Sequence, residues 1–353
     1  MWAAHSALEL GAEKGDLVAL GDDPPDDEHE ETVEESAAES DAYRAAQVLA
    51  AIFLAHKALN RLWGRGTLGP ARREHDLAIG KVVTGLRRVL GTQTNRVLSP
   101  HEVDKVGEFL GPLLSTLSDR IAAVIMESTS AVVADAASVV DRIVRRATGT
   151  DPNLSGSSWI KKVEANRVKQ LREFEQQAGQ ALREDLSAAV IDRLKTLPRD
   201  AMRVADVLAE VSSALDDKWW IIERDVKTRT AYVFNQAQKE AIQELATSGI
   251  IPDVQGRWTE LVDEASGEPL DDRVGLDSMV LHGQLAGDDG AYTMPNDPIA
   301  PPKMVGQSWD HPPNRPRDRA IILPWAPGWG IDKVYKVSGT AKIPIDPNTG
   351  LPK

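Results

Sequence analysis

Apolar residues recur every three or four positions through residues 42–248, which predicts a run of amphipathic helices. The sequence DAYRAAQVLAAIFLAHKALNRLWGRG predicts one helix, ended by Gly64 and Gly66, and ARREHDLAIGKVVTGLRRVLG predicts a second. SPHE, residues 99–102, is a capping box with proline at the first helical position, so a helix begins there. That helix or helix pair is expected to reach about residue 146, with a kink or break at Gly111-Pro112.

The turn-rich segment TGTDPNLSGSS, residues 148–158, predicts a linker, which separates a helical region over 42–150 from another over 151–217. The last predicted helix spans residues 218–247. Eight of its positions step by three or four along one face, and they are Trp219, Ile222, Val226, Thr230, Val233, Ala237, Ala241 and Leu245. A stripe of this kind indicates helix packing.

The pattern changes after Gly249, where short apolar runs alternate with Gly, Pro and acidic turns. RWTELVD and AIILPW predict two strands, and DEASGEP predicts a turn after the first. Two short strands are marginal in water, so we expect them to pack on the preceding helix with Trp258 and Trp325 in the core. The predicted fold is mainly α, an elongated helical region followed by a small, compact α+β module over residues 250 to about 330. Residues 331–353 are predicted to be a tail.

The net charge of −13 is unevenly distributed. Residues 22–41 contain eleven Asp and Glu and no Lys or Arg, whereas the chain after residue 41 is near neutral. A block of one sign resists collapse, so residues 1–41 are predicted to be an acidic, disordered arm. The alternative is an electrostatic arm that docks on a basic partner surface or competes with nucleic acid for one.

The chain contains no Cys, which excludes disulfide scaffolds and thiolate metal sites. The most apolar run identified is AAQVLAAIFLA, residues 45–55, which is too short to cross a bilayer, so no membrane partner is expected. The N-terminus has no basic region before an apolar run, so no secretory signal is expected.

Common catalytic motifs are missing from the sequence: it has no GxGxxG, Walker A, HExxH or GxSxG pattern. One set of residues has side chains that could bind a divalent metal, and its members are Asp263, Asp271, Asp272, Asp277, His282 and His311. Their spacing does not require a metal, and carboxylates in surface turns explain the Asp residues. No catalytic residue, cofactor or metal site is therefore predicted.

Four short motifs follow one another between residues 218 and 325: KTRTAYVFNQAQKEA, RWTELVDEASGE, MVLHGQ and HPPNRPRDRAIILP. Their order resembles the phage Mu F-like family of minor head proteins, the portal-associated head-morphogenesis proteins of tailed phages. The positions that match the family pattern are Arg229, Thr230, Asn235, Trp258, Asp263, His282, Gly283, His311, Pro312 and Arg319. The chain departs from the pattern at Ala231, where Glu is usual, and at Asp318 and Ala320, which stand where the family has Cys.

The resemblance covers about a third of the chain and implies a head-morphogenesis domain over residues 218–330. It implies a structural minor capsid protein that binds the portal and assists head assembly and genome packaging or ejection. Implied partners are the portal, a scaffold or major capsid protein, and packaged DNA. The implied location is the capsid interior near the portal, and the host cytoplasm during assembly. The alternatives are a toxin-like enzyme that acts on nucleic acid or nucleotides, and a portal or adaptor subunit.

The Pro- and Arg-rich segment HPPNRPRDRAIILPW, residues 311–325, is expected to be a rigid closing loop and strand in this interpretation. Its three arginines, Arg315, Arg317 and Arg319, are placed to pair with the acidic turns at Asp263, Asp271 and Asp272. The alternative is that these arginines are solvated.

Overall fold

The computed structural model describes residues 54–156, 158–196, 202–260, 262–263, 268–269, 276–298, 300–313, 320–329, 334–338 and 341–345. The chain divides into two compact units, Met1–Asp41 and Ala42–Lys353, and every described residue belongs to the second. The acidic arm predicted over residues 1–41 therefore lies outside the described residues. The described chain is mainly helical with a small two-strand module, as the sequence predicts.

The first two predicted helices are continuous. Residues 54–61 are helical and lead through a π-helical segment, Leu62–Leu68, into helix α1, Gly69–Leu90. The predicted helix end at Gly64 and Gly66 is therefore wrong. Neither glycine has the positive φ that ends a helix, whereas Gly91 has a φ of 95° and follows the last residue of α1. The Thr67 hydroxyl lies 3.2 Å from the carbonyl oxygen of Leu62 and donates to it within the π-helical turns.

Helix α2, Pro100–Thr148, is one element of 49 residues. It begins at the predicted capping box, in which the Ser99 side chain accepts from the Glu102 N–H and Glu102 accepts from the Ser99 N–H. The predicted break at Gly111-Pro112 does not occur. Pro112 lacks the N–H that would bond to the carbonyl of Glu108, but both residues are exposed, so water can satisfy that carbonyl.

Among the described helices, α2 alone is long and apolar enough to cross a membrane, by length and composition only. One 18-residue window has a mean hydropathy of 1.5 with at most two charged residues, and half of the window is buried in the fold. Core helices of soluble proteins pass the same test. A search of the sequence for uninterrupted apolar runs does not find this window, because small polar residues separate its apolar ones.

The predicted linker joins α2 to the next helices and is partly ordered by a buried carboxylate. Asp141 accepts the N–H groups of Leu154 and Ser155, each at 2.8 Å, and so anchors a short 3-10 helix, Leu154–Gly156. Three helices follow it, α3 (Ser158–Lys195), α4 (Val204–Asp217) and α5 (Trp219–Thr247). Helix α2 packs against α1, α3 and α5, and α4 packs against α1 and α3.

The buried apolar residues form two clusters. The helical core comes from α1, the N-terminal half of α2, α3, α4 and the start of α5, and includes Val82, Leu86, Leu114, Leu117, Val190, Val207, Val211, Ile222 and Val226. The mixed core comes from helices and strands, and includes Leu59, Val133, Val140, Phe234, Ala237, Leu245, Trp258, Leu281, Tyr292 and Ile322. Helices α2, α3 and α5 contribute to both cores. The predicted stripe of α5 is buried apart from Trp219, which is half-buried, so its packing interpretation is confirmed.

The strands after α5 form two-stranded antiparallel pairs. Strand β1, Gln255–Thr259, pairs with β6, Ile321–Trp325, and both pack on α5, so the two predicted strands and their helical cover are present. The elements between them are β2 (Val262–Asp263), β3 (Glu268–Pro269), α6 (Leu276–Leu281), β4 (Tyr292–Thr293) and β5 (Ser308–Trp309). Strand β2 pairs with β3, and β4 pairs with β5.

A further hairpin lies within residues 331–353, where the sequence predicts a tail. Strand β7, Val334–Ser338, pairs with β8, Ala341–Ile345. The sequence VYKVSGTAKIPI carries apolar residues at alternating positions on both sides of Ser-Gly, which is a hairpin pattern. The expectation of a plain tail is therefore wrong for these two strands.

Candidate functional site

The described positions that match the family motifs lie on α5, on β1, in β2 and in the loops that follow α6 and β5. Arg319 lies outside the described residues, and of Asp263 only the backbone, in β2, is described. The other matched side chains are buried, and they are Arg229, Thr230, Asn235, Trp258, His282, His311 and Pro312. Gly283 is half-buried. These positions are therefore parts of the interior and its backbone turns, and they do not line an open cleft.

Asn235 joins α5 to strand β6. Its side-chain amide donates to the carbonyl of Ala320 at 3.0 Å, and its side-chain oxygen accepts the N–H of Ile322 at 2.9 Å. An Asn side chain has both a donor and an acceptor, which lets it pair with two backbone groups of one strand. Asn235 is fully buried, so these bonds satisfy its side chain inside the protein and fix the position of β6 on the helix.

The His-Gly-Gln turn lies beside β1 and bonds to the backbone of Trp258. Gly283 donates its N–H to the Trp258 carbonyl at 2.7 Å, and Trp258 donates its N–H to the Gln284 carbonyl at 2.8 Å. Gly283 has a φ of 80°, a conformation that favours glycine. The Trp258 ring packs edge-to-face on Tyr292 with centroids 5.3 Å apart. Two motifs separated along the chain are thus held together by backbone pairing.

The buried carboxylate of Glu260 accepts hydrogen bonds from side chains of β1 and α6. Glu260 accepts from the Trp258 indole N–H at 3.1 Å and from the Ser278 hydroxyl, and its own backbone N–H donates to Nδ1 of His282 at 2.9 Å. Burial, and then the charges of Arg257 and His56, lower the pKa of His282 to about 3. The imidazole is therefore neutral near pH 7, with Nδ1 as an acceptor. Trp258, Ser278 and His282 are all buried. Their bonds to Glu260 join β1 to α6 and to the residue after it.

Arg229 and Thr230 lie further toward the start of α5. Arg229 forms a buried ion pair with Asp225, one turn earlier, with an Nη2–Oδ2 distance of 2.5 Å. Burial raises the pKa of Asp225, and the charge and hydrogen bond of Arg229 oppose that rise. The Thr230 hydroxyl donates to the Val226 carbonyl at 2.8 Å and reaches the hydroxyl of Thr67 at 3.4 Å, which links α5 to the π-helical segment.

His311 and Pro312 close the module against the outer side of α5. The His311 ring packs edge-to-face on Tyr232 with centroids 4.6 Å apart. The predicted aromatic core is partly corrected here, because Trp258 is fully buried but Trp325 is only half-buried at the end of β6. Tyr292 and Trp329 supply the other large buried rings near these strands. The predicted pairing of Arg315, Arg317 and Arg319 lies outside the described residues.

The metal set considered from the sequence is only partly described, because Asp271 and Asp272 lie outside the described residues, as do the side chains of Asp263 and Asp277. Of its two histidines, His282 directs Nδ1 to the backbone of Glu260. Within the described part of the chain, one group of His and Asp residues has a geometry that could hold a metal ion: His75, Asp76 and Asp216, on α1 and α4.

Several residues that build the candidate site were not predicted. Glu260 and Ser278 are buried together, and Gly256 lies where a Cβ atom would come within 2.5 Å of the Tyr292 hydroxyl. Charged residues beside Trp in RWTE are a weak sequence pattern, because strands on protein surfaces carry the same residue types. Only the pairing of β1 with β6 and with the loop after α6, and the contact of Trp258 with Tyr292, show that these positions are internal.

The arrangement is suited to holding a fixed shape. The Asn235 amide pairs with the backbone of β6, and the Trp258 indole and the Ser278 hydroxyl donate to Glu260. These side chains are buried among β1, β6, α5 and α6. No protein-family model, no curated protein and no solved structure matches this chain.

Proposed function

We propose that this protein is a structural minor capsid protein of a tailed phage, which binds the portal and assists head assembly and genome packaging or ejection. The observation that supports the proposal is the convergence of the motif residues. Asn235, Trp258 and Gly283 are far apart in sequence, and yet direct hydrogen bonds join them to neighbouring elements of one module. A shared structural task in one module is what the resemblance leads us to expect of these short motifs.

In this proposal, the module over residues 218–330 is a compact anchor, and the helical region supplies the portal contact. Large apolar side chains are exposed on the helical region at Leu77 and Val89 of α1 and at Val97 of the following loop. Leu77 also lines a small groove between α1 and α2 with Leu113 and Arg120. Apolar residues bordered by charged ones are typical of protein contact surfaces.

The test is binding to the portal protein of the same phage genome, measured by analytical ultracentrifugation of the two purified proteins. We expect a complex at micromolar concentration and low salt. Leu77→Glu is expected to weaken the complex without altering the melting curve, because Leu77 is 54% exposed. Ile250→Glu is the matched control, since Ile250 is an exposed apolar residue beyond the end of α5. A wild-type protein that forms no complex would contradict the proposal.

A nuclease assay separates this proposal from the enzyme alternative. In the described structure, Glu260, Ser278 and His282 are close together but buried, so a substrate would reach them only if the module opened. We expect no cleavage of DNA or RNA by the pure protein with Mg²⁺ or Mn²⁺. Cleavage that is lost in His282→Ala or His311→Ala would favour the enzyme.

A further inference from the structure

Helices α1, α4 and α5 meet at a second cluster of polar residues, away from Asn235, Trp258 and Glu260. His75 and Asp76 lie on α1, Asp216 lies in the last turn of α4, and Trp219 begins α5. One potential ligand atom from each of His75, Asp76 and Asp216 lies within 4.8 Å of the other two. Both carboxylates are about half exposed, so they can adjust their positions.

The orientation of His75 distinguishes this cluster from an ordinary surface ion pair. Its ring is completely buried, and its Nε2 lies 3.1 Å from the Leu215 carbonyl oxygen, to which it donates. Nδ1 has no hydrogen-bond partner and faces Oδ1 of Asp76 at 3.9 Å. A histidine that ligates a metal through one nitrogen usually donates its other N–H to a carbonyl or carboxylate. The contact with Leu215 thus leaves the Nδ1 lone pair directed at the acidic side of the cluster.

A cation already bridges the two carboxylates in this fold. The Arg72 guanidinium lies 2.9 Å from Asp76 through Nε and 2.5 Å from Asp216 through Nη2, and it packs over the Trp219 ring at 5.0 Å. Asp76 and Asp216 are therefore placed around a positive charge. Arg72 donates to these carboxylates and not to Nδ1 of His75, which has no hydrogen-bond partner. Arg72 is 39% exposed and can turn into solvent.

We propose that His75, Asp76 and Asp216 bind one divalent transition-metal ion, in competition with Arg72. One imidazole nitrogen and two carboxylate oxygens form a ligand set used by Zn²⁺ and by neighbouring first-row ions, with water in the remaining positions. Ca²⁺ and Mg²⁺ prefer all-oxygen ligands and are disfavoured by the imidazole. The bound ion would clip α1 to the end of α4. This site is independent of the proposed portal binding.

The test is Zn²⁺ titration of the metal-depleted full chain by isothermal calorimetry, with Co²⁺ absorption in the visible range as a spectroscopic readout. We expect one site that contains a nitrogen ligand and a higher melting temperature in Zn²⁺ than in Mg²⁺. His75→Gln and Asp216→Asn are each expected to weaken binding by at least about tenfold. Arg72→Gln is expected to tighten binding by about fivefold, because the competing ion pairs are lost.

His101→Gln is the matched control, because His101 is an exposed histidine on α2 and its loss should leave the site intact. Weak binding of Zn²⁺ to the acidic residues 22–41 would be the same in every variant, so it can be told apart from binding at the proposed site. Asp216→Asn alters an exposed side chain and should keep the fold, which guards against loss of binding through unfolding. Equal binding by wild type, His75→Gln and Asp216→Asn, or no specific binding by wild type, would overturn the proposal.

Discussion

The helical core and the mixed core bury different kinds of side chain. The apolar residues buried in the helical core are aliphatic, namely Ala, Val, Leu, Ile and Met. His75 and Ser118 are buried polar residues of the same helices. The mixed core also buries aromatic rings, at Trp63, Phe234, Trp258, Tyr292 and Trp329. Beside those rings lie buried polar side chains, and they include Arg229, Asn235, Gln238, Arg257, Glu260, Ser278 and His282.

The two cores therefore depend on their residues in different ways. An aliphatic core tolerates many substitutions of similar volume, because dispersion and burial are not directional. A buried polar group needs a partner at one distance and angle, and its loss leaves another group without a hydrogen bond. We expect the mixed core to respond sharply to single polar changes, and the helical core to respond mainly to changes of volume.

The largest expected effect in the mixed core comes from Trp258→Ala. The change removes a fully buried ring that packs on Tyr292, and it also removes an indole donor to Glu260. The free energy of unfolding should fall by about 3–5 kcal/mol. Urea unfolding followed by circular dichroism measures the loss, and hydrogen exchange should show β1 and β6 losing protection before α1 and α4.

Trp220→Ala is the matched control for this prediction. Trp220 is 44% exposed, so its removal should change stability by less than about 0.5 kcal/mol. If Trp258→Ala unfolded at the same urea concentration as Trp220→Ala, Trp258 would not hold the position described here, and the contrast between the cores would fail.

Asn235→Ala tests the directional bonds of the mixed core with little change of volume. The Ile322 N–H would lose its acceptor, and the Ala320 carbonyl would lose the amide donor, both in the buried strand β6. An unfolding free energy lower by about 2–3 kcal/mol is expected. Gln236→Ala is the adjacent control, since Gln236 is half-buried and bonds to Glu240 on the same helix. Equal unfolding free energies for the two variants would argue against a strand-fixing role.

The pH dependence of stability should distinguish the cores as well. The unfolded His282 imidazole gains a proton near pH 6.5, whereas the folded one does so near 3, because burial and Arg257 oppose its charge. The unfolded state therefore binds more protons between those values. The contribution of His282 is fully present above pH 6.5, and it is lost progressively as the pH falls toward 3.

At pH 5, His282 should lower the unfolding free energy by about 2 kcal/mol relative to pH 8. Urea unfolding at both pH values measures the difference, and His282→Gln should reduce it. Some pH dependence of stability should remain in His282→Gln, because burial also lowers the pKa of His75 in the helical core. The exposed His101→Gln control should keep the full dependence. An unchanged dependence in His282→Gln would exclude His282 as its source.

What the sequence predicts well is what depends on local periodicity. The stripe of α5, the capping box at Ser99 and the strand AIILPW have patterns that repeat over a few residues, and the fold contains all three. The wrong predictions concern local breaks at Gly64, Gly66 and Pro112, where the rest of the fold continues the helix. Glycine and proline shift local preferences by only a few kcal/mol, and tertiary packing overrides them.

The candidate site was less predictable because its contacts join distant segments. The motif resemblance identified Asn235 and Trp258, but the sequence does not show that Asn235 bonds to β6 or that Glu260 meets Ser278. The proposed metal cluster could not be predicted from the sequence either, because His75 and Asp216 become neighbours only when α1 packs beside α4. Pairings of this kind depend on tertiary structure, and no periodic pattern encodes them.

The smallest expected effect is in the helical core, at the start of α2, and comes from Ser99→Ala. Ser99→Ala removes a side-chain hydroxyl that accepts the Glu102 N–H, while the Ser99 backbone N–H keeps its bond to the Glu102 carboxylate at 2.9 Å. The pKa of Glu102 is lowered to about 2. The bond from the Ser99 N–H is the largest cause, followed by the Arg96 guanidinium and then the Ser99 hydroxyl. The variant should raise this pKa, and it should stay below the usual range because two of the three causes remain.

Loss of a serine N-cap typically lowers protein stability by about 1 kcal/mol. We expect hydrogen exchange to show faster opening of the first turn of α2 and no change in β1 or β6, because the cap contacts belong to residues close in sequence. Ser99→Thr, which keeps a hydroxyl, is the matched control. NMR titration of the Glu102 carboxyl gives a second readout of the same contact. If Ser99→Ala caused loss of protection in β6, as Trp258→Ala is expected to do, the two cores would unfold as one unit, and their different chemistry would not separate their stability.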